Sequence, residues 1–219
     1  MDYKDKKLEL DALAKQIKIC RKCRLCETAT NAVSGHGNPD SEIIFVGEAP
    51  GANEDLTGLP FVGRAGKLLD FMLSQIKMKR EDVWIGNIIK HRPPQNRDPL
   101  PDEIDACKPY LTTQIEIIKP KIVVTLGRFS MNYFLPESKI SDVHGTIQKV
   151  GNLNIYPLYH PAAGLRNPKM KIALLADFLK IPDIILGKEV SSSPAFMNGT
   201  QQTPVDKSTS NNFQEGLFK

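Results

Sequence analysis

Three polar side chains stand at the ends of apolar runs: Glu48 behind EIIFV and Gly47, Asn87 behind VWIG, and His160 behind IYPLY. A lone Asn or His in such a place is usually a turn or capping residue. Three of them beside glycine and proline loops mark a crevice of the kind that open α/β sheets form at their strand ends. The stretch VGEAPGANEDLTGLPFVGRAGKLLD at 46–70 carries most of this signal. Gly47, Gly51, Gly58 and Gly63 let the main chain approach a ligand closely, while Glu48, Glu54 and Asp55 add three carboxylates. Carboxylates in a loop otherwise shaped for phosphates point to chemistry on something other than a free nucleotide. No Lys-Ser or Lys-Thr follows at triphosphate-binding spacing, and no G-x-G-x-x-G opens the helix.

These residues need a scaffold, and the pattern supplies one. Helices are predicted over about 8–22, 65–77, 103–118 and 169–179, with a short one near 129–134. Strands are predicted over 42–46, 83–88 and 121–126, and a hairpin through Gly151-Asn152 has 153–159 as its second arm. This βαβαβ series implies a three-layer α/β/α fold with a central, mainly parallel four-stranded sheet. At 219 residues and 41% apolar the chain suits one domain, predicted over 1–187. From 188 to 219 the composition turns to Ser, Thr, Asn, Gln and Pro, and a disordered tail is expected.

The amino terminus is too charged for a secretory signal and no apolar run reaches membrane-spanning length, so a cytoplasmic location without membrane attachment is expected. Cys20, Cys23 and Cys26 are too few and too close for a disulfide framework and read as metal ligands in a reducing compartment. The net charge of +4 resides on the folded part, because Lys188, Lys207 and Lys219 balance Glu189, Asp206 and Glu215. Basic residues cluster at 15–24, 77–80, 90–97 and 166–171 beside the candidate loops, which favours a polyanion such as nucleic acid as partner.

GEAPGANED with PFVGRAGKLL at 47–69, NIIKHRPPQNRDPLPDE at 87–103, the Cys20-x2-Cys23 pair and YHPAAGLRNP at 159–168 together resemble the family 4 uracil-DNA glycosylases, the iron-sulfur members of their superfamily. The resemblance spans about 10–185. It implies a monomeric hydrolase that flips uracil out of DNA and cleaves its N-glycosidic bond, leaving an abasic site. Phe61 matches the stacking ring, and a Phe between Pro60 and Gly63 is expected to lie outside the core. Asn87 matches the reader of the uracil edge, accepting from N3-H while donating to O4, a pattern that cytosine reverses. Glu54 matches the position beside C5 that excludes thymine, and His160 the donor to uracil O2. Main-chain N-H groups around Glu48 and Ala49 offer a second donor. Ala49 stands where family 1 enzymes carry a water-orienting aspartate, so Glu48 is the nearest substitute. The loop after His160 resembles the segment that enters the duplex, with Leu165 as wedge and Arg166 as phosphate or groove contact.

The family holds a four-iron four-sulfur cluster through four cysteines. Cys20, Cys23 and Cys107 match three of them, but His91 occupies the fourth position. Spacing alone offers another answer, because Cys20, Cys23 and Cys26 form the C-x2-C-x2-C run of bacterial ferredoxins. His91 is preferred with Cys26 as its rival, and a structural zinc is the alternative metal. The ending NNFQEGLFK resembles peptides that dock on sliding clamps, although it lacks the usual aromatic pair. Two other classes compete: a redox-sensing iron-sulfur protein, which leaves the strand-end residues without purpose, and a non-catalytic nucleic-acid-binding module.

Overall fold

The computed structural model describes residues 1–188. The tail from 189 to 219, with the expected disorder and the clamp-like ending, lies outside the described residues. Lys188, assigned by sequence to that tail, still donates from its main chain to Asp183 O at 3.0 Å.

Among the described residues, six strands build one sheet: β1 (His36–Gly37), β2 (Ile43–Gly47), β3 (Trp84–Asn87), β4 (Ile122–Leu126), β5 (Gln148–Val150) and β6 (Leu153–Leu158), in the order β1-β3-β2-β4-β6-β5. The four inner strands are parallel, as expected. The four-stranded expectation is corrected by two short antiparallel edges, β1 on β3 and β5 on β6. With two residues, β1 is too short for alternation to reveal. It can press against β3 because Gly37 has no side chain: a Cβ there would lie 1.9 Å from Val83 O.

Alternation sorts the strands onto two layers. Ile43, Phe45, Ile85, Val124 and Leu158 face one apolar cluster; Ile44, Val46, Trp84, Val123 and Ile155 face the other. Helices α1 (Tyr3–Lys18), α4 (Pro101–Ile118) and α5 (Arg128–Phe134) cover the second layer. The first is covered by α3 (Arg64–Gln75), α8 (Pro168–Phe178) and α9 (Ile181–Ile185). Short helices α2 (Ala52–Thr57), α6 (Ile140–Val143) and α7 (Pro161–Arg166) occupy connections. The chain runs from β2 outward to β3 and then back across to β4, so the strand order reverses at β2, where open sheets hold their ligands.

Two segments differ from expectation. α1 begins at Tyr3 because the Asp2 carboxylate accepts from Asp5 N at 2.9 Å, and it ends at Lys18, leaving the cysteine run beyond it. AAGLRNPK, expected as a loop, is mostly α7. Pro161 sits at its first turn, where no N-H is needed, and His160 caps it.

Candidate active site

The carboxyl ends of the inner strands bring the sequence-predicted residues to one edge. Gly47 and Asn87 are paired across β2 and β3. Only glycine fits at 47, since a Cβ would lie 2.4 Å from Asn87 Oδ1 and 2.5 Å from Phe61 Cζ. Asn87 is 1% exposed, and no partner reaches its Oδ1 among the described residues. A buried acceptor left without a donor costs about 1–3 kcal/mol. Behind it, the fully buried Lys90 donates from Nζ to Asn87 O and to Gln114 Oε1, each at 2.9 Å. Burial pulls the Lys90 pKa down to about 8. Lys90 therefore leaves the basic surface that the sequence assigned to 90–97, while the half-buried Arg97 has its charge paired with the buried Glu103.

Phe61 corrects an expectation. Its loop lies against the core rather than away from it, and the ring is 6% exposed within the first apolar cluster. The main chain there has φ of 52°, a conformation that costs a residue other than glycine on the order of 1–3 kcal/mol. Glu54 holds the neighbouring residues down: Oε1 accepts from Val62 N at 2.8 Å and Gly63 N at 2.9 Å, and Oε2 from Gly51 N at 3.1 Å. The Glu54 carboxylate thus fills the space a side chain on Gly51 would take, 2.8 Å from that Cβ position.

His160 links this inner group to an open cavity. Its ring centroid lies 5.8 Å from that of Phe61. Nδ1 accepts from Ala162 N at 3.0 Å, which leaves the proton of the neutral ring on Nε2 as a donor. Burial, reinforced by Arg166 and opposed by Glu54, pulls its pKa down to about 4, so the ring is neutral near pH 7. The cavity, about 550 Å³, is lined by Glu48, Ala49, Asn96, Tyr159, His160 and Arg166 among others. Burial, helped by Asp98 and opposed by Arg128, raises the Glu48 pKa to about 7. A carboxylate poised there can take a proton from water. Asn87, Phe61 and Glu54 lie outside the lining of this cavity, as does Leu165, which stands 46% exposed on α7.

Cys23 and Cys107 pack with the second apolar layer, and Cys20 against the cluster of Leu13, Ile17 and Tyr110. Cys20, Cys23 and Cys26 follow α1, and Arg24 Nη2 pins their turn to Asp102 of α4 at 2.7 Å. Burial raises the Cys107 thiol to about 11, with Cys23 and Cys20 adding to the shift; burial also raises Cys23, with Cys20, Glu103 and Cys26 adding. His91 is 5% exposed, and its Nδ1 is buried without a partner among the described residues. Burial lowers its pKa, so it offers a lone pair, and it lines a cavity of about 500 Å³ with Cys20 and Cys26. Soft thiolate donors and an orphaned imidazole suit an iron-sulfur cluster or zinc. Among the described residues, however, no three His, Cys, Asp or Glu side chains converge as a ready coordination shell.

Sequence reasoning missed the burial of Lys90 and the main-chain contacts of the half-buried Arg80 because both fall in basic clusters that read as surface. Their only local signal is the apolar pair Ile88-Ile89 before Lys90 and the Asp82 cap after Arg80.

The model of the Uracil DNA glycosylase superfamily matches residues 34–180. The type-4 uracil-DNA glycosylase of Sulfurisphaera tokodaii is 44% identical over 216 residues, covering 92% of this chain and 97% of that one. That of Saccharolobus solfataricus is 46% identical over 192 residues, with 83% and 89% covered. That of Archaeoglobus fulgidus is 46% identical over 184 residues, with 80% and 92% covered. With glycine, amide and imidazole gathered at the strand ends and similarity of this extent, the chain belongs to the uracil-DNA glycosylase superfamily, in its type-4 family.

Proposed function

We propose that this chain excises uracil from DNA by hydrolysing the N-glycosidic bond and leaves an abasic site. One observation carries the reading: the buried, unpartnered Oδ1 of Asn87 beside Gly47 and the Phe61 ring. An amide there accepts from uracil N3-H and donates to O4, so cytosine, with the opposite pattern, is refused. Phe61 stacks on the base, and Glu54, held by three main-chain N-H groups, guards C5 against thymine. As the bond breaks, its electron pair moves onto the base. His160 Nε2-H stabilises the charge on O2, assisted by main-chain N-H groups around Glu48 and Ala49. Glu48 accepts a proton from the water that adds to the sugar. Arg166 contacts DNA beside the cavity and Leu165 enters the duplex.

Cys20, Cys23, Cys107 and His91 are proposed to hold a four-iron four-sulfur cluster. The orphaned His91 Nδ1 favours it over Cys26. When bound, the cluster supplies a structural tie between the segment after α1, helix α4 and the loop at 91–97. Iron analysis tests this: brown protein with about four irons per chain supports it, and colourless protein with one zinc selects the alternative metal.

Among the described residues no helix is long and apolar enough to cross a membrane. A monomer acting in the cytoplasm is the proposed state, and clamp docking through NNFQEGLFK is testable by pull-down with and without that ending. Function is tested by incubating the protein with a uracil-containing oligonucleotide and cleaving abasic sites with alkali. Strand scission at uracil supports an enzyme; DNA affinity without scission supports a binding module.

A further inference from the structure

Arg80 sits in the turn before β3, within a basic cluster that reads as DNA-facing, yet its guanidinium points inward. Nη1 donates to Phe61 O at 2.7 Å, Nη2 to Pro60 O at 2.5 Å, and Nη1 again to Asp70 Oδ1 at 2.9 Å. Two consecutive carbonyls are thus gripped by one planar fork, a geometry that lysine cannot reproduce. Asp70, on α3, orients and neutralises the fork.

Residues 60–63 are held from two sides by opposite charges. Arg80 takes the carbonyls of Pro60 and Phe61, and Glu54 takes the N-H groups of Val62 and Gly63. Between them Phe61 keeps φ of 52°. Its carbonyl is pressed so closely on α3 that a Cβ at Gly66 would lie 1.7 Å from Phe61 O. A positive φ at a bulky residue persists only where its surroundings over-determine it. That conformation brings the ring tip against Gly47, beside Asn87 Oδ1.

We propose that Arg80 is a positioning residue for base stacking: its guanidinium clamps the Pro60 and Phe61 carbonyls and so presents the Phe61 ring to the flipped base. This rests on the reading of Phe61 as the stacking ring. Without the clamp, two inward carbonyls lose their donor, Phe61 relaxes toward negative φ, and the ring leaves its place. Arg80 acts through Phe61 and touches no reacting atom.

A double-mutant cycle in single-turnover excision on single-stranded uracil DNA tests the proposal. Arg80→Met and Arg80→Lys are expected to lose about tenfold in rate in the wild-type background and less than about twofold in the Phe61→Ala background. Equal losses in both backgrounds, the result of a general structural role or a DNA contact, overturn it, as does no loss in either. A readout free of activity accompanies the cycle. Through-space NMR transfer between the Phe61 and His160 rings is expected to weaken in Arg80→Lys at unchanged melting temperature, and unaltered transfer overturns the proposal. Absence of uracil release by the wild-type protein removes the stacking reading and the proposal with it, a failure visible before any variant is made.

Discussion

The strand-end pocket and the cysteine centre each include a buried histidine but are organised in opposite ways. In the pocket each functional group is anchored to main chain: Asn87 by strand pairing, His160 by Ala162 N, Glu54 by three N-H groups and Phe61 by Arg80. At the cysteine centre burial raises the Cys107 and Cys23 thiols, and no coordination shell forms among the described residues. The pocket is preorganised by the fold. At the cysteine centre a bound metal would have to displace the thiol protons, and its binding energy would draw the proposed donors together. The first is therefore expected to respond to mutation in rate, the second in stability.

The sharpest break between the regions is expected at His160 and Asn87. His160→Ala should lower single-turnover excision by about two to three decades, with DNA affinity and melting temperature nearly unchanged. Asn87→Asp should lose a comparable amount and gain some cleavage at cytosine, because a carboxyl in its protonated form reverses part of the donor pattern. Equal losses of binding and rate in His160→Ala would assign it to folding. In contrast, Cys107→Ser should lose bound iron and several degrees of melting temperature. His91→Ala should weaken the brown colour near about 400 nm, His91→Cys should keep it, and Cys26→Ser should leave it intact. Sensitivity of the colour to Cys26 and not to His91 would exchange their roles.

A smaller effect separates the two titrating groups of the pocket. The raised pKa of Glu48, about 7, means that its basic form is depleted below neutrality, so the rate should fall about tenfold per unit as pH drops below 7 and level off above it. The neutral form of His160 persists down to about pH 4, so this limb belongs to Glu48. Glu48→Gln should flatten the limb at a lower plateau; a limb that survives the substitution would remove Glu48 from the role of base. The smallest expected change is in salt dependence, where Arg166→Ala should reduce the slope of log affinity against log salt by roughly one unit.

Much of this was legible in the chain before folding. EIIFV, VWIG and IYPLY announced strands because continuous apolar runs fit a sheet covered on both faces; of the polar residues behind them, Glu48 and His160 line the open cavity, while Asn87 lies buried outside it. Less legible were features that depend on contacts across the sequence. β1 has two residues and no period, and it exists through the close approach of Gly37 to Val83. Phe61 looked like a loop residue because nothing local tells that Arg80, nineteen positions on, and Glu54 pull its loop onto the core. Lys90 and Arg80 read as surface cations because the burial of one and the inward contacts of the other depend on partners that the local sequence does not name. α7 hid behind glycine and proline, although proline at a first turn is itself a helix signal.

The central claim is that a preformed amide at the end of β3 reads uracil. Its most direct test compares wild type and Asn87→Asp on matched oligonucleotides carrying a single uracil or a single cytosine, under single-turnover conditions with alkaline cleavage of abasic sites. Scission by wild type at uracil alone, reduced by about two decades or more in Asn87→Asp, is the predicted result. Unchanged uracil excision by Asn87→Asp, or no scission by wild type, would contradict it.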